Sequence, residues 1–373
     1  MIKKLSLLFL ILIIVGCKNT ASFDVQTRKS SDGFTTVKTI KFTDDLVTVV
    51  KKLEAKPLDL AEHVVFPMSV MYNDPYLIIS DLNADSLIHV VNASDKKYVK
   101  SLGVKGFGPN EIMTASKALS LNSSNPGYVW SYDLQQRRFS KFDLSKNNVS
   151  GLAEKQYTFR EGDFTSFRVG WSNRSTLIGL TVDGLSRFTE YDTLGNELKR
   201  YGDYDEPLSQ KYPKGVWAQF YQGLLRANSE NTLFAHSSIY IDQLELLNID
   251  DNEIIEIVGP LDIEPRFEVA RVQGSNVLAI DPKETHHGYM DVYVGEQFVY
   301  GLFSGKKWDG NPNGKELCNE IYVFNKEGYV VEKLVLDQLI RSITVDEKNG
   351  YIYGVSASEL PDIVQFEYKY GDA

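Results

Sequence analysis

The chain has 373 residues, 43% hydrophobic and 24% charged, proportions that exclude a polytopic membrane protein and a disordered chain. Lys and Arg number 40 against 50 Asp and Glu, a net charge of -10 with no long basic run, which argues against nucleic acid as a partner. At this length a hydrophobic core suffices without disulfide or metal staples.

Lys3 and Lys4 precede the apolar run LSLLFLILIIV (residues 5–15), too short for a helix to span a bilayer, so residues 1–16 read as an export signal. Ile14, Val15, Gly16 and Cys17 resemble a bacterial lipobox, in which the cysteine is acylated and becomes the new N-terminus. An ordinary secretory signal that contains a cysteine is the alternative. Lipidation of Cys17 implies a membrane partner through the acyl anchor, with the domain outside the cytoplasm and the outer membrane as the expected site. Losing Lys3 and Lys4 leaves 38 basic against 50 acidic side chains, a net charge of -12. Cys318, the other cysteine, then lacks an intrachain partner and reads as a small buried hydrophobe. Residues 17–33 are polar and turn-rich, which predicts a flexible tether after the lipidated Cys17. Residues 34–373 show no composition break and read as one domain.

Within that domain one unit recurs. An apolar strand appears as YLIISDL (76–82), YVWSYDL (128–134), TLIGLTV (176–182), TLFAHSS (232–238), QFVYGLFS (297–304) and YIYGVSA (351–357). Each has a partner run, and the equivalent anchors Val91, Phe142, Tyr191, Leu247, Phe324 and Phe366 are 51, 49, 56, 77 and 42 residues apart. Asn- and Asp-rich turns follow most partners, as hairpins needing positive φ require. Six units of about four short strands predict an all-β fold, a six-bladed β-propeller. A two-sheet sandwich or a β-helix explains neither six units nor the strand-like run TTVKTIKF (35–42) stranded before the first. The chain stops soon after the sixth partner run, so TTVKTIKF is expected to supply the missing outer strand, a propeller closed by an N-terminal strand.

The segment from Gly103 to Ile112, GVKGFGPNEI, resembles the G-x-G-P-x-E signature of the six-bladed propeller lipoproteins of Gram-negative bacteria called TolB-like, with Asn110 and Ile112 departing from the usual Gly and Phe. The resemblance implies a six-bladed fold and a surface location, and no agreed biochemical activity. Gly106, Gly108 and Pro109 make a stiff bent loop, and Glu111 is placed to accept hydrogen bonds from its amides. The loop is either an inter-blade latch or a ligand contact through Phe107 and Glu111.

Phosphate loops, nucleophile elbows and zinc-helix patterns are absent from the sequence. His286 and His287 are adjacent in a polar segment, either metal ligands or exposed loop residues. Asp81, Asp133 and Asp183 end the second strands of three units and are either turn caps or the carboxylates of a Ca²⁺ site in the channel. Two aromatic features suit a ligand or partner: Trp308 in the insertion GKKWDGNPNGKE (305–316), and Trp217 and Tyr221 in KYPKGVWAQFYQG. Ser86 and Thr193 lie in D-[S/T]-hydrophobic triplets that resemble bacterial O-glycosylation acceptors. The expected function is a non-enzymatic binding or scaffold module for a protein or glycan of the cell envelope. The alternative is a Ca²⁺-dependent hydrolase or lactonase, and a purely structural envelope component is a third.

Overall fold

The computed structural model describes residues 22–371 except 116, 118, 146–149, 161–163, 205–211, 264–266, 273, 282, 308–317 and 359–360. Antiparallel units follow one another along the chain. Blade one is Pro67–Asn73, Tyr76–Asp81, Ser86–Asn92 and Tyr98–Val104; blade two is Leu119–Leu121, Tyr128–Asp133, Arg138–Asp143 and Lys155–Thr158. Blade three is Ser166–Trp171, Leu177–Thr181, Phe188–Tyr191 and Glu197–Tyr201; blade four is Gly223–Ala227, Leu233–Ser238, Gln243–Asn248 and Glu253–Val258. Blade five comprises Tyr289–Val294, Phe298–Phe303, Cys318–Asn325 and the first part of the long strand Val330–Asp346. The rest of that strand is the innermost of blade six, paired to Tyr351–Ser356 and through it to Ile363–Glu367. All six apolar runs expected from the sequence are second strands, and their partners are third strands.

Second and third strands are apolar almost throughout because each is covered on both faces by neighbouring blades. Leu77, Ile78 and Ile79 are fully buried, as are Val129, Phe139 and Phe142. Aromatic side chains bridge adjacent blades: Trp130 of blade two meets Trp171 of blade three edge-on at 4.9 Å. The turns after the third strands each need a left-handed residue, supplied by Lys96, Gly195, Asn252 and Gly328 in blades one, three, four and five. Cys318 is fully buried in the blade-five core.

The N-terminal segment departs from expectation in two ways. Residues 24–33 are not tether: Asp24–Lys29 pairs antiparallel with Thr36–Lys41. Nor does TTVKTIKF close the sixth blade. Thr36–Lys41 runs parallel to Glu253–Val258 on the outer edge of blade four, where Val37 and Ile40 are buried. The chain then adds Val50–Leu53 alongside Lys333–Leu336 of blade five, and Ala55–Pro57 pairs with Val364–Phe366 as the closing outer strand of blade six. A three-residue edge strand ending in proline carries almost no sequence signal, whereas a buried Val/Ile alternation does.

Inner strands all run in one direction, so the molecule has two distinct faces. The crossover face carries the turns between second and third strands and the links between blades. The opposite face carries the other hairpin turns.

Candidate functional site

On the crossover face, the Gly103–Ile112 loop is held by its own glutamate. Glu111 Oε2 accepts the Gly108 N–H at 2.7 Å, and a Cβ on either Gly106 or Gly108 would collide with that carboxylate. Blade two grips the loop as well: Gln156 Nε2 donates to the Glu111 carbonyl at 3.0 Å and Gln136 Nε2 to the Gly106 carbonyl at 3.0 Å. Glu111 is thus engaged as an inter-blade latch, while Phe107 projects from it, 73% exposed.

The structure does not gather Asp81, Asp133 and Asp183 around the channel. Asp81 accepts backbone N–H groups of Asn83 and Ala84 in its turn, and of Val65 and Phe66 in the link entering blade one. Burial by itself would raise its pKa, but these bonds and His89 outweigh it and hold the carboxyl at about 2. Asp133 likewise accepts the backbone N–H groups of Gln135, Gln136, Met113 and Thr114. Asp183 accepts the Leu185 N–H and pairs with Arg200 at 2.8 Å. Asp242, which sequence reasoning passed over, is the blade-four counterpart, accepting the amides of Leu261, Asp262 and Ile263. Among the described residues, no group of three or more His, Cys, Asp or Glu is placed to hold a metal ion.

Trp217 and Tyr221 are not available to a ligand: they are 1% and 8% exposed. Trp217 lies on the helix Lys214–Phe220 in the link between blades three and four. The hairpin Phe267–Val272 and Ser275–Ile280 covers that helix, tied by the Gln219 side chain to Asn276 and Leu278. Sequence reasoning saw aromatic residues among polar ones and missed this hairpin. Tyr221 stacks beneath the buried Arg187 guanidinium at 3.5 Å, and Arg187 pairs with Glu245, which accepts from His236 Nδ1 at 2.7 Å. Burial, aided by Arg187, pushes the His236 pKa down to about 3, so the imidazole is neutral. His287 is buried, at 6% exposure. Trp308 and Cys17 lie outside the described residues, whereas Ser86 opens a third strand and Thr193 sits in a turn.

The candidate site is the channel. A cavity of about 240 Å³ opens on the face opposite the crossovers, lined by innermost-strand residues of all six blades. Arg226 crosses it from blade four. Its Nε lies 3.5 Å from Asp291 Oδ1 of blade five, and Nη1 donates to the Leu119 carbonyl of blade two at 3.4 Å. Asp291 Oδ2 in turn accepts the Ser342 hydroxyl at 2.5 Å and the Ile343 N–H at 3.2 Å from blade six. Arg226 Nη2 is buried with no hydrogen-bond partner among the described residues, a costly state for a cation. Asn73, Asn228, Ser229 and Glu296 surround it toward the mouth. The sequence did hold a signal, a lone charge in each of two apolar runs, GLLRA and YMDVYV.

No curated protein matches the sequence. Among solved structures, the fold is similar to a member of the duf4221 family from Bacteroides vulgatus, at 13% identity and a TM-score of 0.54 over 86% of this chain and 96% of that one. It is also similar to a protein of Bacteroides fragilis described as exported, at 11% identity and a TM-score of 0.51 over 89% and 98%. These likenesses concern the fold. Residues 44–348 match the TolB-like 6-blade propeller-like family as a whole, from the N-terminal belt to the start of the last blade. With six blades and closure by an N-terminal strand already in place, the chain belongs to the TolB-like 6-blade propeller-like family.

Proposed function

We propose that this chain is a binding propeller of the cell envelope, anchored by acylated Cys17, which takes a protein or glycan at the channel mouth through a carboxylate or carbonyl that reaches Arg226. The observation that carries this reading is Arg226, its Nη2 buried and unpartnered among the described residues, on the wall of a cavity open to solvent. Arg is suited to the role because its planar fork can hold Asp291 and still offer N–H groups to an incoming acceptor. The rigid lining from six blades favours recognition of one small group over wrapping of a long chain.

Thermal unfolding of the mature protein with D-glucuronate, compared with D-glucose at matched ionic strength, tests it. A ligand bound only by the folded state raises the midpoint saturably. The expected result is a rise with glucuronate that Arg226→Lys abolishes; an equal response of wild type and Arg226→Lys overturns the assignment. The same measurement after chelation and with added Ca²⁺ addresses the hydrolase alternative, for which a saturable calcium-dependent rise is the signature.

A further inference from the structure

Where blade six meets blade one, the sheet presents polar side chains in two rows. Tyr353 pairs with Gln365 and Gln365 with Lys56 of the closing strand, and the next row is Asp346, Tyr351 and Glu367. Alternate residues of a strand share a face, so these side chains stand together. Blade one packs against them: the Tyr72 N–H donates to Thr344 Oγ1 at 2.9 Å, and the Tyr72 and Tyr353 rings lie 6.4 Å apart, 23° from parallel. The packing is incomplete. A cleft of about 460 Å³ remains between the two blades on the face opposite the crossovers, with Tyr72 and Asp74 on the wall that it shares with the channel mouth.

Two groups that face this cleft are buried without a hydrogen-bond partner. Tyr353 is 1% exposed and Gln365 6%, and both line the cleft. Neither the Tyr353 hydroxyl nor the Gln365 side-chain amide is hydrogen-bonded among the described residues. Tyr300 holds the same position in blade five, paired with Val323, and gives its hydroxyl to Glu347 at 3.0 Å. Tyr353 has no such acceptor. Burial, with the Asp346 charge nearby, pushes its pKa up to about 12, so the hydroxyl keeps its proton and is able to donate. Two unbonded groups at this depth cost the folded state more than apolar side chains of the same size.

The lining selects a class of ligand. A phenol hydroxyl and a carboxamide each offer both donor and acceptor, as the hydroxyls of a polyol do. The half-buried rings of Tyr72 and Tyr351 add apolar faces for the C–H side of a sugar ring. An anion is disfavoured: Asp74, Asp346 and Glu367 outnumber Lys56 and Lys96, and Lys56 is already paired to Glu367 at 2.6 Å. A proline-rich peptide brings acceptors with few donors and leaves those carboxylates unmatched. The volume is that of a small-molecule site. We propose that this cleft is a second binding site, separate from the channel, which takes a neutral saccharide, its hydroxyls bonded to Tyr353 Oη and the Gln365 amide and its ring laid against Tyr351.

Saturation-transfer difference NMR of the mature protein with cellobiose, maltose or lactose tests it, since direct contact is read apart from the general stabilisation that sugars give to folded proteins. At least one disaccharide is expected to show saturable transfer that excess D-glucuronate, the channel probe, leaves unchanged. In Tyr353→Phe and in Gln365→Met its dissociation constant is expected to rise at least about fivefold, as loss of one neutral hydrogen bond implies. Urea midpoints of both variants should match or exceed wild type, because the groups removed have no partner in the protein to lose. Transfer to none of the three sugars overturns the proposal, as does an unchanged constant in both variants. Displacement by D-glucuronate moves the sugar to the channel, and transfer to a proline-rich peptide in place of the sugars assigns the cleft to peptide; either result overturns it. A lower midpoint in both variants makes the two groups structural and overturns it as well. A channel that ignores glucuronate leaves this site standing, because the cleft uses Tyr353 and Gln365 and not Arg226.

Discussion

At the scale of single residues, Glu111 and His236 show how burial and partners set what a side chain can do. Adding a methyl at Gly106 drives it into the Glu111 carboxylate, so Gly106→Ala is expected to cost about 1–2 kcal/mol. Glu111→Ala, which frees the Gly108 amide, is expected to cost about 1 kcal/mol. Because the methyl fits once the carboxylate is gone, the double variant should be no worse than Gly106→Ala alone, and urea unfolding of all three measures the coupling. The G-x-G-P-x-E pattern was legible in the sequence; that Glu111 folds back over both glycines was not, since that depends on blade two holding the loop through Gln136 and Gln156. His236 gives a pH signature. Its folded pKa, pushed down by burial and by Arg187 to about 3, lies below the ordinary 6.5. The unfolded chain therefore binds the extra proton between those values, and stability falls as the pH drops through that window. At pH 5 the expected loss relative to pH 7.5 is about 2 kcal/mol. Urea midpoints at both pH values should show this loss in wild type and a smaller slope in His236→Gln. Equal slopes would contradict a neutral buried imidazole.

At the scale of elements, the N-terminal belt decides how the ring is held. It supplies outer strands to blades four, five and six in turn, so it staples three blades as well as closing the circle. Ile40 is fully buried between blades four and five, and Ile40→Ala is expected to cost about 2–4 kcal/mol. Closure at blade six depends on Asp362, whose carboxylate accepts the Asp59 and Leu60 amides just beyond Ala55–Pro57. Asp362→Ala should therefore speed native-state hydrogen exchange in Ile363–Glu367 and Pro67–Asn73 while leaving Tyr128–Asp133 unchanged. Uniform acceleration across the blades would mean that the contact is not local to the closure. The second and third strands were readable from sequence because they are buried on both sides and carry continuous apolar runs. The outer strands of blades one, three, four and five, which follow Asn- or Asp-rich turns as the runs 97–103, 197–202, 253–259 and 329–336, were readable too; the closing strand Ala55–Pro57 was not, since one side meets water and its pairing partner lies hundreds of residues away: Lys56 pairs with Gln365. Register at such an edge is set by what the rest of the ring leaves unpaired, a property no local stretch encodes.

At the scale of the whole molecule, one ion pair links blades that are far apart in sequence. Arg226 ties blade four to blades two and five, and Asp291 carries the connection on to blade six. Both charges are at least nine-tenths buried, so their worth to stability differs from their worth to function. Removing one partner strands the other charge, and Asp291→Asn alone is expected to destabilise the fold by about 3 kcal/mol or more. Removing both charges lifts that penalty. In Arg226→Met with Asp291→Asn, the asparagine still offers an oxygen to the Ser342 hydroxyl and the Ile343 amide, and methionine fills the volume of the arginine stem. That double variant should unfold within about 1 kcal/mol of wild type, because a buried pair is often replaceable by apolar packing. If Arg226 is there to meet a ligand, the stable double variant must also lose the saturable response to glucuronate. Recovered stability with lost response separates recognition from architecture. Recovered stability with the response intact would move the binding group elsewhere on the channel wall, and unrecovered stability would make the pair a strut across the ring.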